Sequence, residues 1–253
     1  MDDYPKSYYR QYTHYVNRRE LADVPLFERI LKWATDQRPE RILDMGCGVG
    51  YLISEIQSKT RAKVVGVDLS RSAVEGAKNM FPGLSLVRAD FLKPPLTPGS
   101  FDWILAINVI EHLEGHQQID FLETVERLLR EDGALVLSTP EPRSMYSKLV
   151  IHDPTHKKEL TREAVLALVG ERLAIEEIIY TNSIGRFPRR INRLLSFLFP
   201  ADILLLARNR PTEHHSPLKR CFARRAEFLQ TGLPRRYKER VASYSTQEEM
   251  RAV

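Results

Sequence analysis

Cysteine is scarce in this chain. Of 253 residues only Cys47 and Cys221 are cysteines, too few for a disulfide framework, so a reduced, cytoplasmic setting is expected. Long apolar runs are missing as well. The most apolar region, Leu194 to Ala207, is interrupted by Pro200 and Asp202, and no membrane-spanning segment is expected from it. Met1 to Arg10 has no apolar core, which argues against a signal peptide. There is no internal repeat and no low-complexity run. Neither sign of charge dominates: 38 Lys and Arg against 33 Asp and Glu leave +5 and a pI near 9.2. That balance permits an anionic partner, nucleic acid or membrane surface, without requiring one. What remains is ordinary for a globular protein, at 43% hydrophobic and 28% charged residues. The length suffices for one large α/β domain with a sizeable core, and a small appendage.

The most informative stretch is Arg41-Ile-Leu-Asp-Met-Gly-Cys-Gly-Val-Gly50. A short apolar run ends in Asp44 and breaks into three glycines at every second position, after which apolar residues resume at helical spacing. Strand, glycine turn and helix open a nucleotide-binding βαβ unit, where missing Cβ atoms let a ligand lie against the backbone. A second apolar run, Lys63 to Asp68, ends in another acidic residue, placed to accept hydrogen bonds from a ribose diol. The dinucleotide fingerprint, Gly-x-Gly-x-x-Gly, seats a pyrophosphate on the helix. Here the third glycine comes one position early, and Asp44 at the mouth of the turn repels a pyrophosphate. It suits a ligand carrying an ammonium and a sulfonium, and S-adenosylmethionine has both. A glycine turn with no ligand is the alternative. The segment Leu43-Asp-Met-Gly-Cys-Gly-Val-Gly50 resembles the first motif of class I S-adenosylmethionine-dependent methyltransferases.

Residues 40–139 alternate strand-like runs with helical patterns, which predicts a parallel sheet covered on both faces. Strands are expected at 41–44, 63–68, 84–88, 101–107 and 134–138, with helices at 50–59, 71–80 and 117–130. Asp132-Gly133 reads as the stop of the last helix. Upstream, Leu21 to Ala34 reads as an amphipathic helix. It follows a segment with five tyrosines (Tyr4, Tyr8, Tyr9, Tyr12 and Tyr15), either a helix on the sheet edge or a lid over the cofactor. Downstream, a helix at Arg162 to Val169 has Thr161 as N-cap, and two more strands fall near 173–181 and 202–208. The resemblance implies a Rossmann-like, doubly wound α/β fold: a seven-stranded, mostly parallel sheet with an antiparallel last strand and helices on both faces. Its motifs cover residues 40–140 specifically and 141–210 more loosely. The domain division expected is an N-terminal helical cap at 1–38, the methyltransferase domain at 39–210 with substrate-side insertions at 141–200, and a basic tail at 211–253.

The same resemblance assigns roles. Asp44 anchors the methionine end of the cofactor, and Gly46, Cys47, Gly48 and Gly50 bring the backbone close. Asp68 takes the ribose hydroxyls with Leu69 beside the adenine. Asp90 is assigned to the adenine amino group and Phe91 to the adenine face, although Asp90 can equally cap a turn. Phe101 to Leu113 is similar to the fourth-strand motif of the ubiquinone-biosynthesis O-methyltransferase group. It places Asn108 and Val109 along the methionine pocket. Glu111 and His112 either organise the following loop or serve catalysis, His112 as general base for an acceptor hydroxyl. His152 and His156 lie in a segment, Asp153 to Thr161, that resembles the Thr-His loop of the ubiquinone-type enzymes. It is also similar to the metal-binding region of small-RNA 2′-O-methyltransferases, where Glu111, His112 and His156 match three of four ligands. Asn108 replaces the remaining glutamate, so no metal is expected.

The function expected is S-adenosylmethionine-dependent methyl transfer to a small-molecule or lipid- or sugar-linked acceptor, at oxygen. The alternatives are a metal-assisted RNA 2′-O-methyltransferase and a cofactor-binding regulatory protein without turnover. Between Arg186 and Arg225 there are ten basic and two acidic residues. The amphipathic stretch 187–199 within it is either a cover for the substrate mouth or a peripheral contact with anionic lipid. Nucleic acid is not an expected partner, since no aromatic platforms interleave the basic residues.

Overall fold

Alternate residues of each central strand go to opposite sides of one sheet, and both sides are buried. The structure, a computed structural model, describes residues 24–142, 155–157, 160–181 and 201–210. The tyrosine-rich segment before residue 24, His152, the 187–199 stretch and the tail from 211 lie outside the described residues.

The strands are β1 (Arg41–Met45), β2 (Lys63–Asp68), β3 (Ser85–Arg88), β4 (Phe101–Ile107), β5 (Leu129–Pro140), β6 (Ala174–Thr181) and β7 (Asp202–Arg208). The helices are α1 (Pro25–Gln37), α2 (Tyr51–Lys59), α3 (Arg71–Met80), α4 (Gly115–Leu128) and α5 (Arg162–Gly170), with a short 3₁₀ turn at Ile110–His112. The sheet order is β3-β2-β1-β4-β5-β7-β6. β1 to β5 pair in parallel, and β7 runs antiparallel to both β5 and β6. This is the expected doubly wound sheet with its one reversed strand.

Leu43 and Met45 of β1, Ile104 and Ala106 of β4, and Leu135 and Leu137 of β5 share one apolar cluster with Phe121, Leu122 and Val125 of α4 and Val165 of α5. The intervening Ile42, Trp103, Leu105 and Val136 join Leu26, Ile30 and Trp33 of α1 and Ile53 and Ile56 of α2. A period of two between two helical layers explains why these strands read as nearly continuous apolar runs. Arg29 of α1 pairs with Glu177 of β6 and lies over the Trp33 ring, tying this helix to the far edge of the sheet.

Of the boundaries that differ from expectation, two have a clear physical reason. α1 begins at Pro25 rather than near Leu21; proline is favoured at the first helical position, where its missing N–H costs nothing. α4 ends at Leu128, and Asp132-Gly133 does not stop it. The pair lies inside β5, where the register with β4 shifts between Phe101 and Trp103. Asp132 takes a left-handed φ of 58°. A Cβ on Gly133 would stand 2.9 Å from the Arg130 carbonyl oxygen and 3.0 Å from that of Phe101. This Asp-Gly therefore serves a strand irregularity.

Candidate active site

Strand order reverses between β1 and β4, the switch point beside which such sheets bind ligands at the carboxyl ends of their strands. Three strands deliver a polar residue to that edge: Asp44 from β1, Asp68 from β2 and Asn108 just past β4.

The glycine turn is tied to β2 through its backbone. Gly46 and Cys47 both donate to the Val67 carbonyl, at 2.8 and 3.1 Å. Gly46, Gly48 and Gly50 have φ of 80°, 53° and 80°, all left-handed. Asp68 fixes the turn from the other side. Its Oδ2 accepts the Gly48 N–H and its Oδ1 the Ser70 N–H, each at 2.8 Å. Ser70 then caps α3 by accepting from Ala73 N at 3.2 Å. Asp68 is only 7% exposed, and its two backbone hydrogen bonds fix the orientation of its carboxylate.

Asp44 is in a different condition. It is 4% exposed; its main chain pairs in the sheet, but its carboxylate makes no hydrogen bond or ion pair among the described residues. Burial, and then the Asp68 charge, push its carboxyl up to about 7. An unpaired buried carboxylate is costly and is relieved by a cation. That is the fit expected for the ammonium or sulfonium of S-adenosylmethionine, and it is poor for a pyrophosphate. Cys47 is half-buried: burial and the charges of Asp44 and Asp68 hold its thiol well above its usual range, so it is not a reactive thiolate.

The other assigned residues are distributed as follows. Asn108 has a left-handed φ of 54°, a conformation that asparagine tolerates better than most residues. Its N–H donates to the Ser138 carbonyl at 3.0 Å, and its Oδ1 accepts the Ser138 hydroxyl at 2.9 Å. Val109 is buried against Gly46. Leu69 is half-buried, its carbonyl accepting from Arg88 Nε at 3.2 Å. Asp90 is exposed and takes the Leu92 N–H at 2.9 Å, the local turn weighed as its alternative role. Phe91 packs edge-on against Phe121 of α4, with centroids 6.2 Å apart.

Glu111 and His112 ride on the 3₁₀ turn after β4. Gln118, fully buried on α4, supports the turn by donating to the Ile110 and Leu113 carbonyls at 3.0 and 3.4 Å. Glu111 is also fully buried, and its Oε2 accepts from Thr139 Oγ1 at 3.1 Å. Lys157 N donates to the Glu111 carbonyl at 2.8 Å, bringing His156 to the turn. The His112 and His156 rings meet edge-on at 5.1 Å. One donor atom from each of Glu111, His112 and His156 falls within 4.8 Å of the others, a spacing that a single cation could bridge. Ser138, Thr139 and Thr155 were not foreseen. Ser138 and Thr139 left one trace in the sequence, a polar pair closing the otherwise apolar Leu135-Val-Leu-Ser-Thr139.

A sheet of this order, with a buried acidic residue near the end of β1 and another closing β2, is the arrangement expected of a class I S-adenosylmethionine-dependent methyltransferase. Residues 42–133 match the family model described as a methyltransferase domain. A probable S-adenosylmethionine-dependent methyltransferase of Mycobacterium tuberculosis is 32% identical over 130 residues, 51% of this chain and 46% of that protein. The malonyl-[acyl-carrier protein] O-methyltransferase of Legionella pneumophila is 36% identical over 126 residues, 46% of this chain and 41% of that protein. The mitochondrial ubiquinone biosynthesis O-methyltransferase of Schizosaccharomyces pombe is 36% identical over 107 residues, 40% and 38% of the two chains. The chain thus spans about half the length, or less, of the curated relatives it matches. Among solved structures, a SAM dependent methyltransferase from Archaeoglobus fulgidus superposes with a TM-score of 0.60 at 21% identity. It covers 81% of this chain and 100% of its own, and supports the fold. Among the described residues no helix is long and apolar enough to cross a membrane.

Proposed function

We propose that this protein transfers a methyl group from S-adenosylmethionine to a hydroxyl oxygen of a small-molecule or lipid- or sugar-linked acceptor. The cofactor supplies an electrophilic methyl on a sulfonium. Asp44 and Asp68 bind and orient it, Asp44 against positive charge and Asp68 against the ribose. Most of the rate then comes from holding acceptor oxygen and methyl in line. His112 takes the acceptor proton, for which an imidazole is suited, and Glu111 and His156 flank it. The observation that carries this reading is the imidazole–carboxylate cluster beyond β4, on the same sheet edge as the partnerless Asp44. The names of the two relatives at 36% identity support oxygen as the atom methylated.

The test is incubation with methyl-labelled S-adenosylmethionine and a fractionated cell extract. Label is expected in lipid-soluble or small polar products, at an oxygen. Label entering RNA would replace this reading with the metal-assisted alternative, and binding without any transfer would leave a regulatory cofactor binder.

A further inference from the structure

Ser138 sits in the middle of the sheet, next to the buried apolar Val136 and Leu137 of β5. It pairs with Ile107 of β4 on one side and Leu204 of β7 on the other, and its carbonyl oxygen accepts the Asn108 N–H at 3.0 Å. Its main chain is therefore fixed from both sides. The residue is 0% exposed, and a buried hydroxyl is costly without a partner. Among the described residues that partner is the Asn108 side-chain amide, at 2.9 Å. The amide makes no second hydrogen bond among those residues. A hydroxyl both donates and accepts, so the contact holds whichever polar atom of the amide faces it. In either orientation the other polar atom of this half-buried residue points away from Ser138.

We propose that Ser138 is a positioning residue for the cofactor: it acts through Asn108, holding that amide toward the amino-acid end of S-adenosylmethionine. This rests on the reading of the strand edge as the S-adenosylmethionine site, with Asn108 along its methionine pocket. An amide offers both a donor and an acceptor, and the carboxylate and ammonium of that end give each a partner. A side chain already held in one orientation loses less freedom when the ligand arrives. The backbone suits the device. Asn108 has a left-handed φ of 54°, which asparagine tolerates, and its N–H bond to Ser138 anchors the turn without the hydroxyl.

Full-length Ser138→Ala, Asn108→Gly and the double variant test this by titration calorimetry with two probes. S-adenosylhomocysteine carries the amino-acid end; 5′-methylthioadenosine keeps the adenosine and the sulfur but lacks that end. Alanine at 138 removes only the hydroxyl, and glycine takes the left-handed backbone of residue 108 without strain. Each single variant is expected to weaken S-adenosylhomocysteine about 3–10-fold, the range of one net hydrogen bond, and to leave 5′-methylthioadenosine within about twofold of wild type. The double variant should lose no more than Asn108→Gly alone, because Ser138 then has nothing to act through. Equal weakening of both probes, or losses that add in the double variant, overturns the proposal and leaves the hydroxyl a part of the fold only. Wild-type affinity for S-adenosylhomocysteine in Asn108→Gly overturns it at the amide. Wild-type protein that binds neither S-adenosylhomocysteine nor S-adenosylmethionine removes the cofactor reading beneath it, whatever the variants do.

Discussion

Gly46 and Val109 fit together only because residue 46 has no side chain: a Cβ there would lie 2.6 Å from Val109 Cγ2. The contact joins the turn after β1 to the segment after β4 across the switch point. Gly46→Ala meets both this overlap and a φ of 80°. Overpacking costs about 1–3 kcal/mol and a left-handed residue about 1–2 kcal/mol. Affinity for S-adenosylmethionine is expected to fall by tenfold or more in calorimetry. An unchanged Kd would detach this turn from the cofactor.

Asp44 is expected to make cofactor binding dependent on pH. Its folded-state carboxyl titrates near 7, against 3.8 ordinarily. The unliganded fold therefore holds an extra proton between these values, and its stability falls as pH rises from about 4 to about 7. A cationic ligand favours the ionised form, so affinity rises with pH through about 7. Asp44→Asn should remove both slopes. Calorimetry in buffers of differing ionisation heat should detect proton release on binding at pH 6.5 in wild type only. Equal slopes in the two proteins would show that Asp44 does not meet the positive charge.

Asp68 both orders the glycine turn and is assigned to the ribose. Asp68→Ala is expected to abolish S-adenosylmethionine binding, with the loss of two charge-assisted hydrogen bonds to backbone N–H groups. Titration calorimetry checks it, and retained affinity would refute the site.

For His112→Ala, turnover should drop roughly 10²–10⁴-fold, the range for a general base, while cofactor affinity changes little. Comparable losses in both would point to a part in forming the pocket.

A third buried acid gives a contrasting case. Asp102, 5% exposed, accepts the Glu40 and Arg41 N–H groups at 2.6 and 2.8 Å and pairs with Arg130 Nε at 2.7 Å. Asp102→Ala strands those donors at the start of β1. A loss of roughly 2–4 kcal/mol in urea unfolding is expected, with unchanged S-adenosylmethionine affinity in the folded protein. A stable variant with weakened binding would contradict this purely structural role.

The strands β1, β2 and β4 were legible because two-sided burial leaves continuous apolar runs, each closed by a polar residue at the ligand edge. Asp44, Asp68 and Asn108 stood out by that position. Asp132-Gly133 misled because a helix stop and a strand irregularity draw on the same backbone freedom; only the register of Phe101 and Trp103 separates them. The hydroxyl partners were out of reach of local reading. Thr139 meets Glu111 from 28 residues away, and Thr155 meets His112 from 43, so neither pairing leaves a trace in local spacing.

The reversed strand has a consequence for how such a protein can diversify. Pro140 lies beside Asp202, and Asp202 beside Thr181. Ala201 is stitched to the same rim, donating to Thr181 and accepting from Glu141. Stretches of chain that leave at Pro140 or Thr181, or return at Ala201, do so at the carboxyl edge of β5, the edge that also carries Asp44, Asp68 and Asn108. Exchanging them between relatives would change what is methylated while every rung of the sheet kept its partner.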